Sequence, residues 1–313
     1  AIAMPYSLSQ INAAIRSDPA AFAAECDAAF ARKVQCAAEK IAGHRSESRI
    51  ILLSGPSGSG KTTTALKIEE VLDHMGIETH TVSMDNYFNT LDPETAPRNR
   101  EGAIDYESPF CLDVDLLNRH FSMLDRGETI HVPKYEFSRQ MRSNILSQPL
   151  KLGPDELAIF EGIHALNDII VGKNPKAFKL YIAARSNYTS GEGEIVFQHP
   201  WLRLCRRIVR DYKFRGSDAG FTLKMWNNVA RGEKLYISPY KENANLMFDS
   251  SLACEVSALK PFVVPLLEAV SQEKYPIAGE MLRALDRFEV LDESYIAPDS
   301  LAREFIGGST YSY

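Results

Sequence analysis

Cysteine is scarce and scattered. The five residues, Cys26, Cys36, Cys111, Cys205 and Cys254, make no C-x-x-C pair and no His-Cys cluster. That spacing argues against a disulfide framework or a zinc site, and the thiols read as reduced and buried, as in a cytoplasmic protein. Long apolar runs are missing too. None approaches the roughly 18–20 residues needed to cross a bilayer, so no membrane partner is expected. The opening Ala1-Ile2-Ala3-Met4 gives way at once to polar residues, unlike a secretory leader. Basic charge is not in excess. Lys and Arg number 35 against 41 Asp and Glu, a net charge of −6, which argues against a general nucleic-acid binder. Internal repeats and low-complexity stretches are absent. What is left is an ordinary composition, 45% hydrophobic over 313 residues, enough for one large domain or two small ones around a sizeable core.

The most informative stretch is Ile50-Ile51-Leu52-Leu53-Ser54-Gly55-Pro56-Ser57-Gly58-Ser59-Gly60-Lys61-Thr62-Thr63. Four apolar residues predict a buried strand. A glycine-rich turn follows, then Lys-Thr at a helix start. Gly55, Gly60, Lys61 and Thr62 satisfy G-x-x-x-x-G-K-[ST]. Glycines let successive backbone N–H groups curl around a phosphate, and the helix N-terminus adds a positive dipole. Gly55, Ser57, Gly58, Ser59, Gly60, Lys61, Thr62 and Thr63 are therefore the candidate phosphate cradle. Lys61 would reach the outer phosphates and the Thr62 hydroxyl would ligate Mg²⁺.

Before this stretch, residues 7–43 predict helix. Asp18 and Pro19 mark a start, Phe22, Cys26, Phe30 and Val34 recur every fourth residue, and Gly43 is the expected stop. This amphipathic extension should lie on the core or on a neighbouring subunit. After it, strand and helix alternate. Thr62–Met75 reads as helix, Thr79–Ser83 as strand, residues 89–109 as a long loop and Leu112–Leu124 as helix. Leu157–Phe160 and Phe178–Ala183 read as further strands, Trp226–Arg231 as helix and residues 236–241 as extended chain. Ser257–Val270 and Pro276–Phe288 read as helices, and residues 300–308 as a short one. Such alternation predicts a parallel sheet with helices on both faces. Ligands of such sheets bind beyond the carboxyl ends of the strands. The cradle, Asp85 and Glu161 each follow a predicted strand, so one edge should collect a phosphate site and two carboxylates. Arg203, Arg206, Arg207 and Arg210 fall at i, i+3, i+4 and i+7, one helix face. Beside a phosphate loop they become a candidate lid that stabilises a moving phosphoryl group.

In order along the chain, Gly55–Thr62, Ser83-Met84-Asp85-Asn86-Tyr87-Phe88, Ala103-Ile104-Asp105-Tyr106-Glu107-Ser108-Pro109, Pro133-Lys134-Tyr135-Glu136-Phe137, Phe160-Glu161-Gly162-Ile163 and Arg206-Arg207-Ile208-Val209-Arg210-Asp211 are a recurring set. On these motifs the chain resembles the uridine kinase and phosphoribulokinase family, above all its longer bacterial nucleoside kinases. Arg303-Glu304-Phe305-Ile306-Gly307-Gly308 adds to the likeness. The resemblance implies an α/β, three-layer P-loop NTPase fold with a parallel sheet, a helical lid and added N- and C-terminal helices. It divides the chain into an extension, 1–47, a kinase core, 48–256, with the lid around 201–240, and C-terminal helices, 257–313.

The same resemblance implies an enzyme that moves the γ-phosphoryl of ATP, with Mg²⁺, to the 5′-hydroxyl of a nucleoside, uridine or cytidine first. Asp85 would take the proton from that hydroxyl and sit at Mg²⁺ with Thr62 and Glu161. Asp105 would bind the ribose, and Tyr135 and Phe137 would line the nucleoside pocket. Arg206, Arg207 and Arg210, with Lys61, would act on the phosphates. Gln140, Arg142 and Arg203 complete the expected acceptor contacts. Gln140 stands where the family carries a histidine, which keeps another small alcohol, a sugar phosphate or a pantothenate-like acid, open as acceptor. A nucleotide-binding regulator without activity is the other alternative. A dimer or tetramer is expected.

Overall fold

The computed structural model describes residues 3–313. Its centre is a five-stranded sheet made of β1 (Ile50–Ser54), β2 (Thr79–Ser83), β3 (Leu157–Glu161), β4 (Phe178–Ala183) and β5 (Leu246–Asp249). The order across the sheet is β5-β4-β1-β3-β2, with every neighbouring pair parallel. Every residue of β1, β3 and β4 is buried, as strands covered on both faces must be. The two-residue period sorts their side chains. Ile51, Leu53, Ile159, Leu180 and Ile182 join one core; Ile50, Leu52, Ala158, Phe160 and Tyr181 join the other.

The first core is covered by helices α1 (Leu8–Ser17), α2 (Pro19–His44) and α3 (Lys61–His74), which precede the second strand. The second is covered by α4 (Val114–Asp125) and the single turn α5 (Asp168–Val171). Phe121 of α4 meets Phe160 of β3 edge to face at 4.7 Å. Then α6 (His199–Phe214), α7 (Ala219–Tyr236), α8 (Glu255–Glu268), α9 (Pro276–Leu285) and the short α10 (Arg303–Ile306) complete the chain. Most of their apolar residues return to the first core.

Asp18 caps α2 as expected, accepting from the Ala21 N–H at 3.0 Å. Phe30 of α2 packs on Phe248 of β5 at 5.4 Å, so the amphipathic face is used within the chain. Gly43 does not stop the helix; it lies inside α2. All five cysteines are free thiols, but Cys36 is exposed rather than buried. Strand β5 has no counterpart in the sequence reading, because four residues at a sheet edge carry too short a pattern. Helix α6, which carries the expected lid arginines, is buried along most of its length and packs against α7, α8 and α10. Helix α7 is longer than expected, and residues 236–241 turn in a 3-10 helix, Ser238–Asn243, instead of extending. The boundary expected after residue 256 falls inside α8.

Candidate active site

The phosphate loop leaves β1 at the centre of the sheet, where β3 and β4 flank it on opposite sides. That is the switch point at which open α/β sheets form their crevice. Gly58 and Gly60 hold positive φ angles, +79° and +85°, which a side chain would oppose. Lys61 folds back so that its Nζ donates to Pro56 O at 3.0 Å. Ser59 Oγ is buried with no hydrogen-bond partner, a donor an incoming phosphate oxygen can satisfy.

Glu161 ends β3 opposite Leu53 of β1 and Ser83 of β2. Asp85 lies on the 3-10 turn Met84–Tyr87 directly after β2. Gly162 lets these two segments touch, since a Cβ there would lie 2.9 Å from Met84 Cβ. The outcome is one cavity of about 840 Å³ lined by Thr62, Asp85, Glu161, Arg210 and Arg215 among others. Burial pushes the Glu161 carboxyl up to about 7, against the pull of Lys61 and with a further push from Asp85. Asp85 opens onto the cavity and is exposed to its water, yet the surrounding protein still pushes its carboxyl up, with Lys61 and Arg215 opposing. Burial pushes Lys61 down. Two carboxylates and a hydroxyl lining one cavity are a hard-oxygen donor set of the kind Mg²⁺ takes, and Lys61 does not offset the burial of Glu161. The residues present fit that ion.

The four arginines divide. Arg206 is fully buried and bidentate on Glu255, at 2.6 Å for both contacts. It also donates to Gly58 O at 3.1 Å and to Ser250 O at 2.8 Å. It supports the loop from beneath, and with no exposed surface it is out of a substrate's reach. Arg203 is bidentate on Glu233 at 2.7 Å and donates to Ser57 O at 3.0 Å, so it braces the loop against α7. Arg207 donates to Ser57 Oγ, and its Nε is buried without a partner; burial and Arg210 lower its pKa to about 10. Arg210 pairs with Asp211 at 3.0 Å and lines the cavity. Helical spacing placed all four on one face, but a helix buried on most sides gives its residues different neighbours.

The strand that carries Tyr135 contacts the turn that carries Asp85. Phe88, Tyr135 and Phe137 cluster, with ring centroids 4.9 to 6.1 Å apart. Tyr135 and Phe137 belong to a hairpin in which Tyr135 pairs with Arg142 and Glu136 with Met141. Gln140 sits in its turn, exposed, with φ +51°. Arg142 donates to Asp113 Oδ2 and to Tyr87 O, each at 3.2 Å. It therefore tethers the hairpin, while its Nε is buried without a partner. Asp105 accepts the Tyr236 hydroxyl, a contact that raises the phenol to about 12. Three contributors escaped the sequence reading: Tyr236 of α7, Arg215 in the cavity wall, and His164. His164 is buried, lies 6.3 Å from the Tyr236 ring and is pushed down to about 4 by burial. Only the place of His164, three residues after Glu161, could have drawn notice.

The family described as Phosphoribulokinase / Uridine kinase matches residues 50–257. A uridine kinase of Macrococcus caseolyticus is 28% identical over 220 residues, covering 69% of this chain and 96% of that protein. One of Mycoplasma genitalium is 29% identical over 209 residues, covering 66% and 88%. Among solved structures, phosphoribulokinase from Rhodobacter spheroides aligns at 13% identity with a TM-score of 0.37, over 63% of this chain and 68% of that one.

Proposed function

Because the chain belongs to the phosphoribulokinase and uridine kinase family, we propose that it phosphorylates the 5′-hydroxyl of a nucleoside, uridine or cytidine first. Family membership makes it a small-molecule phosphotransferase with a hydroxyl acceptor; the nucleoside, ATP as donor and the metal are the proposal. One observation carries it. Thr62 at the end of the phosphate loop, Asp85, Glu161, Arg210 and Arg215 line one cavity, and the turn that carries Asp85 contacts the strand of the solvent-open aromatic pair Tyr135 and Phe137.

The loop and Lys61 bind the donor's phosphates. Asp85 accepts the proton of the attacking hydroxyl, and its raised pKa makes it a better base than a fully hydrated aspartate. Arg207, Arg210 and Arg215 stabilise charge on the phosphoryl group as it moves. Thr62, Asp85 and Glu161 would hold Mg²⁺, which supplies further neutralisation of the phosphates. Asp105 and the Phe88, Tyr135 and Phe137 cluster fix the acceptor, which turns a bimolecular encounter into an oriented one.

The test is a panel of acceptors with labelled ATP: uridine, cytidine, purine nucleosides, sugar phosphates and pantothenate-like acids. Transfer to a pyrimidine nucleoside is expected. Turnover confined to a non-nucleoside would replace this acceptor, and ATP binding without any transfer would favour a regulator. The expected dimer or tetramer must use a surface other than the apolar face of α2; light scattering in solution reads it.

A further inference from the structure

Residues 300–313 lie outside the family match, yet they close over the phosphate loop. Leu301 is buried against Gly60, where an added Cβ would come within 2.5 Å of Leu301 Cδ1. Glu304 Oε1 accepts the Thr63 backbone N–H at 3.0 Å and the Thr63 hydroxyl at 2.6 Å. The Tyr313 hydroxyl meets the same Thr63 Oγ1 at 2.8 Å. Tyr311 donates to Glu70 Oε2 at 3.0 Å. Arg303 holds the segment from behind, donating to Glu293 O at 2.7 Å and Ile296 O at 3.0 Å. The segment also lines the large cavity, where Glu304, Gly308 and Tyr313 stand with Asp85 among the lining residues.

Thr63 is the third residue of α3. N–H groups in a helix's first turn have no intrahelical acceptor and are where phosphates bind. At Thr63 that acceptor is the chain's own carboxylate. A triphosphate running along the loop past Lys61 brings anionic oxygens to the same N–H and hydroxyl. Two anions cannot share them, and repulsion across a partly buried site adds to the exclusion.

We infer that the carboxy-terminal segment is an internal competitor of the donor: Glu304 holds the phosphate position at Thr63, and the donor's phosphate displaces it and frees Tyr313 from α3. This rests on the reading that a nucleoside triphosphate binds in the loop. The tail then senses the donor, and its release widens the cavity on the side where the rest of the nucleotide must lie.

The test measures Mg·ATP binding by calorimetry, without acceptor, on the wild-type chain, Glu304→Gln and Glu304→Ala. Glu304→Ala should bind about tenfold tighter, a charge-assisted hydrogen bond being removed from competition. Glu304→Gln keeps an acceptor for Thr63 but not the charge, so it should fall between and serves if the alanine variant folds poorly. In the wild type, ATP should speed hydrogen exchange over residues 309–313. Equal or weaker ATP binding by both variants, beside normal wild-type binding, overturns the inference, as does unchanged exchange in the tail. Failure of the wild type to bind ATP would instead bring down the donor-site reading, and this inference with it.

Discussion

Lys61 and Phe137 belong to one site, but the protein around them differs in kind. On the donor side, Gly58, Ser59, Gly60 and Glu161 are buried, and Arg206 is sealed beneath them by Glu255. On the acceptor side, Tyr106 and Phe137 are 62% and 61% exposed, and Gln140 stands on a hairpin turn. Charge must be stabilised by groups fixed before the reaction begins, so that half is built on the sheet. Recognition of the acceptor rests on loops, which can close on a ligand and can change without disturbing the sheet.

The contrast can be broken by experiment. Asp85→Asn should lower kcat by about 10³, the usual worth of a positioned base, with ATP affinity within about twofold. A loss as large from any acceptor-side variant would erase the distinction. Arg206→Met strands the buried Glu255 and should cost about 3–5 kcal/mol of stability in denaturant titration. Arg207→Met should leave stability within about 1 kcal/mol and show its effect in turnover. Equal destabilisation by both would mean that the two arginines are not divided as described. Asp105→Asn should raise the acceptor KM roughly tenfold, the cost of one buried polar contact, with the ATP KM unchanged.

Metal should act on the donor half alone, with a defined pH dependence. The Glu161 carboxyl lies at about 7 in the folded chain against an ordinary 4.5. The folded protein therefore binds the extra proton between those values. The stability this group lends is complete below 4.5 and is lost as pH rises through 7. Mg²⁺ replaces that proton, so the rise in Tm on adding Mg²⁺ should be larger at pH 8 than at pH 6. A pH-independent shift would place the ion elsewhere. The smallest effect is expected at Gln140. Its positive φ is unfavourable for a side chain, so Gln140→Gly should gain roughly 0.5–1 kcal/mol with little change in acceptor KM. A large KM change would make Gln140 a reader of the acceptor after all.

The donor half was largely legible because its physics is local. A strand, a glycine turn and a helix start are consecutive in the chain, and Asp85 and Glu161 announce themselves by following strands. What escaped depends on distant segments. Glu255 lies 49 residues from Arg206, and Tyr236 lies 131 from Asp105. No periodicity encodes such pairings. The arginine helix shows the limit most clearly. Spacing established a shared face, but whether each guanidinium met Glu233, Glu255, the loop or the cavity depended on what packed around it. Gln140 is a milder case. Expected among the acceptor contacts, it sits on a hairpin turn with its side chain exposed.

The Arg206–Glu255 pair bears on how the protein could be shortened. The family match over residues 50–257 invites a minimal enzyme cut at that limit. Here such a cut passes through α8, two residues after the carboxylate that neutralises Arg206, and removes Phe305, which lies 5.1 Å beneath the same guanidinium. The truncated chain would keep its whole phosphate-binding motif and lose the footing under Gly58. For this chain the catalytic module is longer than its signature, and any transplant or minimal design has to carry the carboxy-terminal helices along.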